Sequence, residues 1–481
     1  MSNTKTHSNF IGGEWVPGST VATNINPSNL EDSVGDFAQG SAKDVETAVA
    51  AAQAAQPQWA RATAQTRGDL LDKVGERLLA REAELGTILA REEGKTLAEA
   101  RGEVQRAARV FKYFANEALR AHGETIPSVR PEVTIATRRE AVGVVGLITP
   151  WNFPIAIPAW KTAPALAYGN AVILKPADVA PASAWAMAQI IAEAGAPAGV
   201  FNLVMGPGRA VGEAMLKHAS INAISFTGSQ TVGAAVAAEC AQRFRPFQLE
   251  MGGKNPLVIL DDADLDIATD VAINGAYYST GQRCTASSRL IVTKGIYKKF
   301  LEKMLERLDA LVVGDALDPK THIGPVVSEA QLKQNLKYVD IGRDEGAHLA
   351  KGGDRIKGAT PGYYMSPALF TDVDNKMRIA QEEIFGPVAA MIPADSPEHA
   401  LEIANDTPFG LSSGVCTTSL KYAKFFEAEL KAGMVMVNLP TAGVELQAPF
   451  GGTKMSSFGP REQGPMARDF YTKTKTSYLR A

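Results

Sequence analysis

The sequence is poor in cysteine. Three among 481 residues, Cys240, Cys284 and Cys416, are too few and too scattered for a disulfide framework or a paired-cysteine zinc site. Charge of one sign is also lacking: 49 Lys and Arg stand against 52 Asp and Glu, a net charge of −3, with both signs mixed along the length. Such a chain offers no basic stripe to a phosphate backbone, which argues against nucleic acid as a partner. No apolar run reaches the roughly 18 residues that a membrane span needs. The opening MSNTKTHSNF has no apolar core of a secretory leader, and there are no internal repeats or low-complexity tracts. What is present, 45% hydrophobic and 21% charged residues, suits a globular protein with a sizeable core. At roughly 150 residues per domain the length allows about three units. The expectation is a cytoplasmic enzyme that needs neither membrane nor metal.

Hydropathy patterning divides the chain. Residues 45–121 repeat apolar positions at three- and four-residue steps (Leu70, Leu71, Val74, Leu78) among good helix formers. Residues 133–137 turn β-like, and AVGVVGLITPWNFP reads as a buried strand running into a loop broken by proline. Short apolar strands then alternate with helices: helix at 158–168, strand at 171–174, helix at 181–194, strand at 199–204. A second alternating stretch starts at PLVIL after Asn255, with a strand at 289–293 and a long helix at 297–311. This alternation predicts βαβ units around parallel sheets, an α/β fold with two such units meeting near residues 252–253. The Thr/Lys alternation of residues 471–479 predicts an edge strand.

Candidate chemistry gathers at the ends of these strands. Cys284 lies in STGQRCTAS, among glycine, polar and charged neighbours, where free N–H groups of a turn favour a thiolate nucleophile. Cys240 and Cys416 sit in apolar surroundings and read as buried structural thiols. Glu250 closes an apolar strand in QLEMGGKNP and is a candidate general base if it faces a thiol. Asn152, in TPWNFP, has an amide able to donate to a developing oxyanion. Two glycine segments could approach phosphate: GPGRAVG at 206–212, and FTGS at 226–229 before an Ala-rich helix whose N-terminus would present free N–H groups. Lys175, at the end of strand AVIL, has the position of a ribose or phosphate contact.

Taken together, PWNFP, LKPA, FTGS, LEMGGKNP, GQRC, EEIFGPV and PFGGTKMSSFGPRE, with Cys284 standing 34 residues beyond Glu250 (284 − 250), resemble the aldehyde dehydrogenase superfamily from about Phe10 to the last strand. The resemblance implies a Rossmann-like cofactor unit over residues 1–120 and 140–252 and an α/β catalytic unit over 253–445. It also implies a small β oligomerisation arm over 121–139 and 466–481, giving a homodimer or homotetramer. It makes Cys284 the nucleophile, Asn152 and the Cys284 N–H the oxyanion donors, and Glu250 the base that activates water. It puts Lys175 and Asp178 on the adenosine ribose of NAD or NADP and Gly228 and Ser229 on the pyrophosphate. Glu383 and Phe385 would hold the nicotinamide end, and Ile148 and Trp151 would line the cleft.

Glu250 favours hydrolysis to a free acid over transfer to coenzyme A, because only hydrolysis needs an activated water. Arg283, beside the nucleophile, and Arg106, which alignment with the family's first helices sets at the funnel mouth, would bind a remote carboxylate. Phe153 and Trp160 would pack on the substrate's methylenes. Arg109 and Lys112 follow Arg106 on the same helix and read more plainly as solvated charges. Within the family, the ending GMVMVNLPTAGVELQAPFGGTKMSSFGPREQG is most similar to the members that oxidise 2-oxoglutarate semialdehyde (2,5-dioxopentanoate). Succinate semialdehyde, a broad range of aldehydes, or an inert cofactor-binding relative are the alternatives. Asp178 favours a ribose 2′-hydroxyl and hence NAD, whereas its short side chain leaves Lys175 room for the 2′-phosphate of NADP.

Overall fold

The computed structural model describes residues 6–480. Its α/β architecture follows from the patterning, with the breaks set by capping. The helical stretch is four helices, Ala42–Arg61, Ala64–Ala80, Glu82–Glu93 and Leu97–Glu117. Ser41, Thr63 and Thr96 each accept from a backbone N–H three residues on, so each starts a helix. Gly94, at φ +94°, stops the third in the left-handed conformation that glycine adopts freely.

The first large sheet has eight strands. Its parallel centre runs Phe247–Glu250, Ala223–Thr227, Val144–Ile148, Ala171–Lys175, Phe201–Leu203. Nearly all of these residues are buried, as strands covered by helices on both faces should be. The strands Asn9–Ile11 and Glu14–Val16 extend one side antiparallel, and Ser457–Phe458, from far along the chain, pairs antiparallel with Phe247–Glu250 on the other.

A second, seven-stranded sheet orders His348–Lys351, Ala368–Thr371, Val388–Ala394, Arg289–Thr293, Pro256–Ile259, Ser412–Cys416 and Met434–Val437. All its pairings are parallel except the first. The strand expected near the C-terminus is Thr472–Arg480. It pairs antiparallel with Val133–Ala141 and lies at the edge of a three-stranded sheet, eight of its nine residues exposed. Among the described residues no helix is long and apolar enough to cross a membrane, and no three His, Cys, Asp or Glu side chains converge as a metal site would.

Candidate active site

The carboxyl ends of the first sheet's parallel strands build one side of a cleft of about 250 Å³. This is where ligands sit in open parallel sheets. Val144–Ile148 delivers Pro150, Trp151 and Asn152; Ala223–Thr227 delivers Thr227, Gly228 and Ser229; Phe247–Glu250 delivers Met251 and Gly252. The second half of the chain closes the cleft with Cys284, Gln331, Gln334, Glu383 and Phe385. Residues far apart in sequence, Asn152, Ser229, Cys284 and Glu383, are thus brought to one cleft.

The nucleophile loop is held by backbone strain and by borrowed hydrogen bonds. Ser279, Thr280 and Gly281 all have positive φ (51°, 57° and 65°), an uncommon conformation for Ser and Thr that folded surroundings must enforce. At Gly281 a Cβ would lie 2.2 Å from the Gly386 carbonyl oxygen, so only glycine fits there. Asn255 Nδ2 donates to the Cys284 carbonyl at 2.8 Å and to that of Ala286 at 3.0 Å. Asn152, buried, donates from Nδ2 to the Gln282 carbonyl at 3.0 Å, which ties the amide to the Cys284 loop.

Burial pushes the Cys284 thiol up to about 12, the carboxyls of Glu383 and Glu250 adding to it, against the pull of the N–H groups of Cys284 and Thr285. The turn N–H groups expected from the sequence are there, but desolvation outweighs them. Alkylation of Cys284 by iodoacetamide in the cofactor-free protein is therefore expected to quicken about tenfold per pH unit between roughly pH 6 and 9, because a thiol is protonated below its pKa. Peptide mapping separates it from Cys240 and Cys416, which are buried in apolar surroundings. Levelling of the rate near pH 7 or 8 would contradict the shift.

Glu250 ends its strand as expected, buried, but its carboxyl turns to Ser457, whose hydroxyl donates at 2.5 Å. Burial, reinforced by the Glu462 carboxyl, holds its pKa well above the ordinary carboxylate range. Gly451 leaves this space open, since a Cβ there would stand 2.8 Å from Glu250 Oε1.

Of the residues expected to hold a dinucleotide, Trp151, Gly228, Ser229, Glu383 and Phe385 line the cleft, and Ile148, Lys175 and Asp178 lie outside its lining. Ser229, which lines the cleft, caps helix Gln230–Gln242 by accepting from Val232, so the helix starts at the cleft. A Cβ on Gly228 would come within 2.6 Å of the Phe226 ring. Trp151 meets Phe385 edge to face at 5.2 Å. Glu383 accepts from Gly253 N–H at 3.0 Å, and its burial raises its pKa to about 7. Ile148 and Lys175 are register partners at the ends of adjoining strands. Lys175 Nζ donates to Asp178 Oδ1 at 2.6 Å and to the Pro176 carbonyl at 3.0 Å. Helix N–H groups, a close-approach glycine and an acid–lysine pair at a strand end are the donor set a dinucleotide needs, and these residues fit one. The other glycine segment, 206–212, folds into the helical turn Gly208–Gly212 away from the cleft.

The charges expected in the substrate funnel fare differently. Arg283 is not free: it donates to Glu99 Oε1 at 3.1 Å and to Asn274 O and Oδ1 at 3.3 Å. Its charge is neutralised by a carboxylate 184 residues away in sequence, and it does not line the cleft that holds Cys284. Lys112 pairs with Asp72 at 2.7 Å and Arg109 is exposed, so both are surface charges. Among the described residues Arg106 has only uncharged acceptors, the Val444 carbonyl and Gln463 Oε1; it lies 5.9 Å over the Trp160 ring and, like Arg283, outside the lining of that cleft. Trp160 in turn packs 5.5 Å from Phe450. Phe153 carries the Lys95 ammonium 4.0 Å above its ring. Lys95, Glu93, Glu103 and Asn255 escaped the sequence reading. Glu103 had left a trace, an acid within the apolar stripe of Ala100, Val104, Ala107 and Phe111.

Comparison with known proteins accords with this geometry. The chain is 46% identical to the alpha-ketoglutaric semialdehyde dehydrogenase of Bacillus subtilis, over 100% of this chain and 99% of that one. It is 44% identical to the alpha-ketoglutarate semialdehyde dehydrogenase of Haloferax volcanii, over 98% of both. The structure superposes on the betaine aldehyde dehydrogenase of Staphylococcus aureus in complex with NAD+ with a TM-score of 0.96, at 34% identity, over 98% of this chain and 94% of that one. The model of the aldehyde dehydrogenase family matches residues 15–477, and with the cysteine, glutamate and cleft set out above, this chain belongs to that family.

Proposed function

We propose that the enzyme oxidises 2-oxoglutarate semialdehyde to 2-oxoglutarate. The observation that carries the substrate is the donor set around Arg106. Beside its guanidinium, the buried Trp160 Nε1 and Gln463 Nε2 have no hydrogen-bond partner among the described residues. Buried donors without acceptors are costly, and a 2-oxo acid supplies acceptors of the right kind, two carboxylate oxygens and the adjoining carbonyl. Succinate semialdehyde lacks that carbonyl. The substrate named for both sequence relatives is the same acid.

In this reading Cys284 adds to the aldehyde carbon, and the Asn152 amide and the Cys284 N–H hold the resulting oxyanion. NAD(P), when bound, would supply the hydride acceptor, and loss of the hydride from the carbon held by Cys284 would leave a thioester there. Glu250 swings from Ser457 to draw a proton from water, which hydrolyses the thioester to the free acid. Trp151, Glu383 and Phe385 orient the nicotinamide end, and Ile148, Lys175, Asp178, Gly228 and Ser229 the remainder. Lys175 is already neutralised by Asp178, whose carboxylate repels a 2′-phosphate, so NAD is the better acceptor. The first sheet and its helices (1–120 and 140–252) serve the cofactor and 253–445 the chemistry. Residues 121–139 and 466–481 serve assembly into a dimer or tetramer through the open edge of Thr472–Arg480; of these ranges, residues 1–5 and 481 lie outside the described chain.

Steady-state kinetics on 2-oxoglutarate semialdehyde, succinate semialdehyde and an uncharged aldehyde of similar length, with NAD and NADP in parallel, test the proposal. The expected order is 2-oxo acid first, with kcat/KM at least about tenfold above the uncharged aldehyde, or about 1.4 kcal/mol of transition-state binding. Equal values for all three would overturn it.

A further inference from the structure

A buried network of ions lies beneath the cleft. Lys95 sits in the short link 94–96, fixed from both sides. Gly94 ends one helix, where a Cβ would press to 2.8 Å from Pro325, and Thr96 opens the next through a reciprocal cap with Glu99. The Lys95 side chain is 1% exposed. Its Nζ donates to Glu103 Oε2 at 2.7 Å and to the Asn152 carbonyl at 2.6 Å, with Glu93 at 3.9 Å. Glu103 uses its other oxygen to accept from Ile155 and Ala156 N–H, both at 3.1 Å. These are N–H groups at the start of helix Ala156–Ala167, whose preceding residue supplies no side-chain cap. Glu93 accepts from Lys95 N–H at 2.9 Å and from Gln282 Nε2 at 3.3 Å. The loop 150–154 is therefore clamped at Asn152 by the ammonium and at its far end by Glu103. The nucleophile loop is tied to the same network through Gln282, the residue whose carbonyl receives the Asn152 amide.

Burial opposes the charge on Lys95, but the acidic groups of Glu103 and Glu93 outweigh it and raise the pKa of the ammonium. Glu93 is raised to about 8, chiefly by burial. The core of the network is thus the Lys95 ammonium shared between the Glu103 carboxyl and the Asn152 peptide carbonyl. An ion buried this deeply is expensive to place, and among the described residues its only backbone acceptor is the Asn152 carbonyl, whose own amide is the proposed oxyanion donor.

We infer that Lys95 is a positioning residue for the oxyanion site: by gripping the Asn152 carbonyl it sets the angle at which the Asn152 amide meets the oxygen of the substrate. It touches neither substrate nor cofactor and acts through Asn152. The inference rests on Asn152 being the oxyanion donor.

A double-mutant cycle in the full-length enzyme tests it, with Lys95→Met, Asn152→Ala and the pair. Asn152→Ala alone is expected to lower kcat by about 10²–10³-fold, as loss of one oxyanion donor does. Lys95→Met is expected to lower kcat about tenfold to a hundredfold, the cost of misplacing a reacting group by about 1 Å. The KM for NAD and cofactor binding read by Trp151 fluorescence stay within about twofold. In the Asn152→Ala background the same Lys95→Met change is expected to cost less than about threefold, because the group it positions is gone. An equal loss in both backgrounds overturns the role of Lys95. An Asn152→Ala enzyme of full activity overturns the oxyanion reading itself. If Lys95→Met does not fold, Lys95→Arg keeps the charge but spreads its donors over a planar fork, and the same cycle with the same criterion decides.

Discussion

Cys284→Ala is expected to abolish aldehyde oxidation, lowering kcat/KM by at least about 10⁴-fold, while leaving dinucleotide affinity within about threefold. The magnitude follows from the chemistry. Without the thiolate there is no thiohemiacetal, and a free aldehyde carbon has no oxyanion to expel a hydride. The selectivity follows from the architecture. Ser229, Gly228, Lys175 and Asp178, the proposed cofactor contacts, stand at strand ends of the first sheet, whereas Cys284 comes from the loop ahead of strand Arg289–Thr293 in the second. Trp151, edge-on to Phe385, reports binding by fluorescence. Retained activity would sink the covalent mechanism; lost cofactor binding would show that Cys284 supports the cleft as well as the reaction. Replacing Glu250 by Gln makes the complementary case. Acylation should proceed and hydrolysis stall, so rapid mixing is expected to show one turnover of NADH followed by a rate at least about a hundredfold slower.

The cleft was legible in the sequence because its parts are loops whose shape depends on a few neighbouring residues. PWNFP, FTGS and GQRC each follow or precede a buried strand, and the strands' apolar runs announced them. Helix boundaries within 45–121 were blurred because amphipathic spacing continues across Ala62 and Arg81, and only Ser, Thr and Gly at the caps mark the breaks. The ion network stayed hidden for a different reason. A lone Lys or Glu on a helix reads as solvated, and burial is a property of tertiary packing. The partner of Arg283 was hidden in the same way: Glu99 reads as a capping residue of its own helix, and it does cap Thr96, at 3.0 Å from the hydroxyl, while its other oxygen takes the arginine. The thiol's raised pKa was out of reach too, because it depends first on burial and then on Glu383, about a hundred residues further on.

With Arg283 neutralised, the reading of the substrate's acid falls on Arg106. Arg106→Gln is expected to lower kcat/KM for 2-oxoglutarate semialdehyde by about 10–150-fold, the worth of a hydrogen bond to a charged group at about 1.5–3 kcal/mol. The value for an uncharged aldehyde of equal length should change by less than about threefold. The loss should appear mainly in KM, since the carboxylate is bound alike in the ground and transition states. Arg106→Lys should fall between: it keeps the charge but not the fork that holds Val444 O, Gln463 Oε1 and a substrate oxygen together. Arg283→Gln separates the two arginines. It breaks the pair with Glu99 beneath the strained 279–281 turn, so it should lower kcat for the acid and the uncharged aldehyde alike. A variant at Arg283 that loses only the acid, with Arg106→Gln unchanged, would return the carboxylate to the nucleophile's neighbour and would mean that the pair with Glu99 opens when substrate enters.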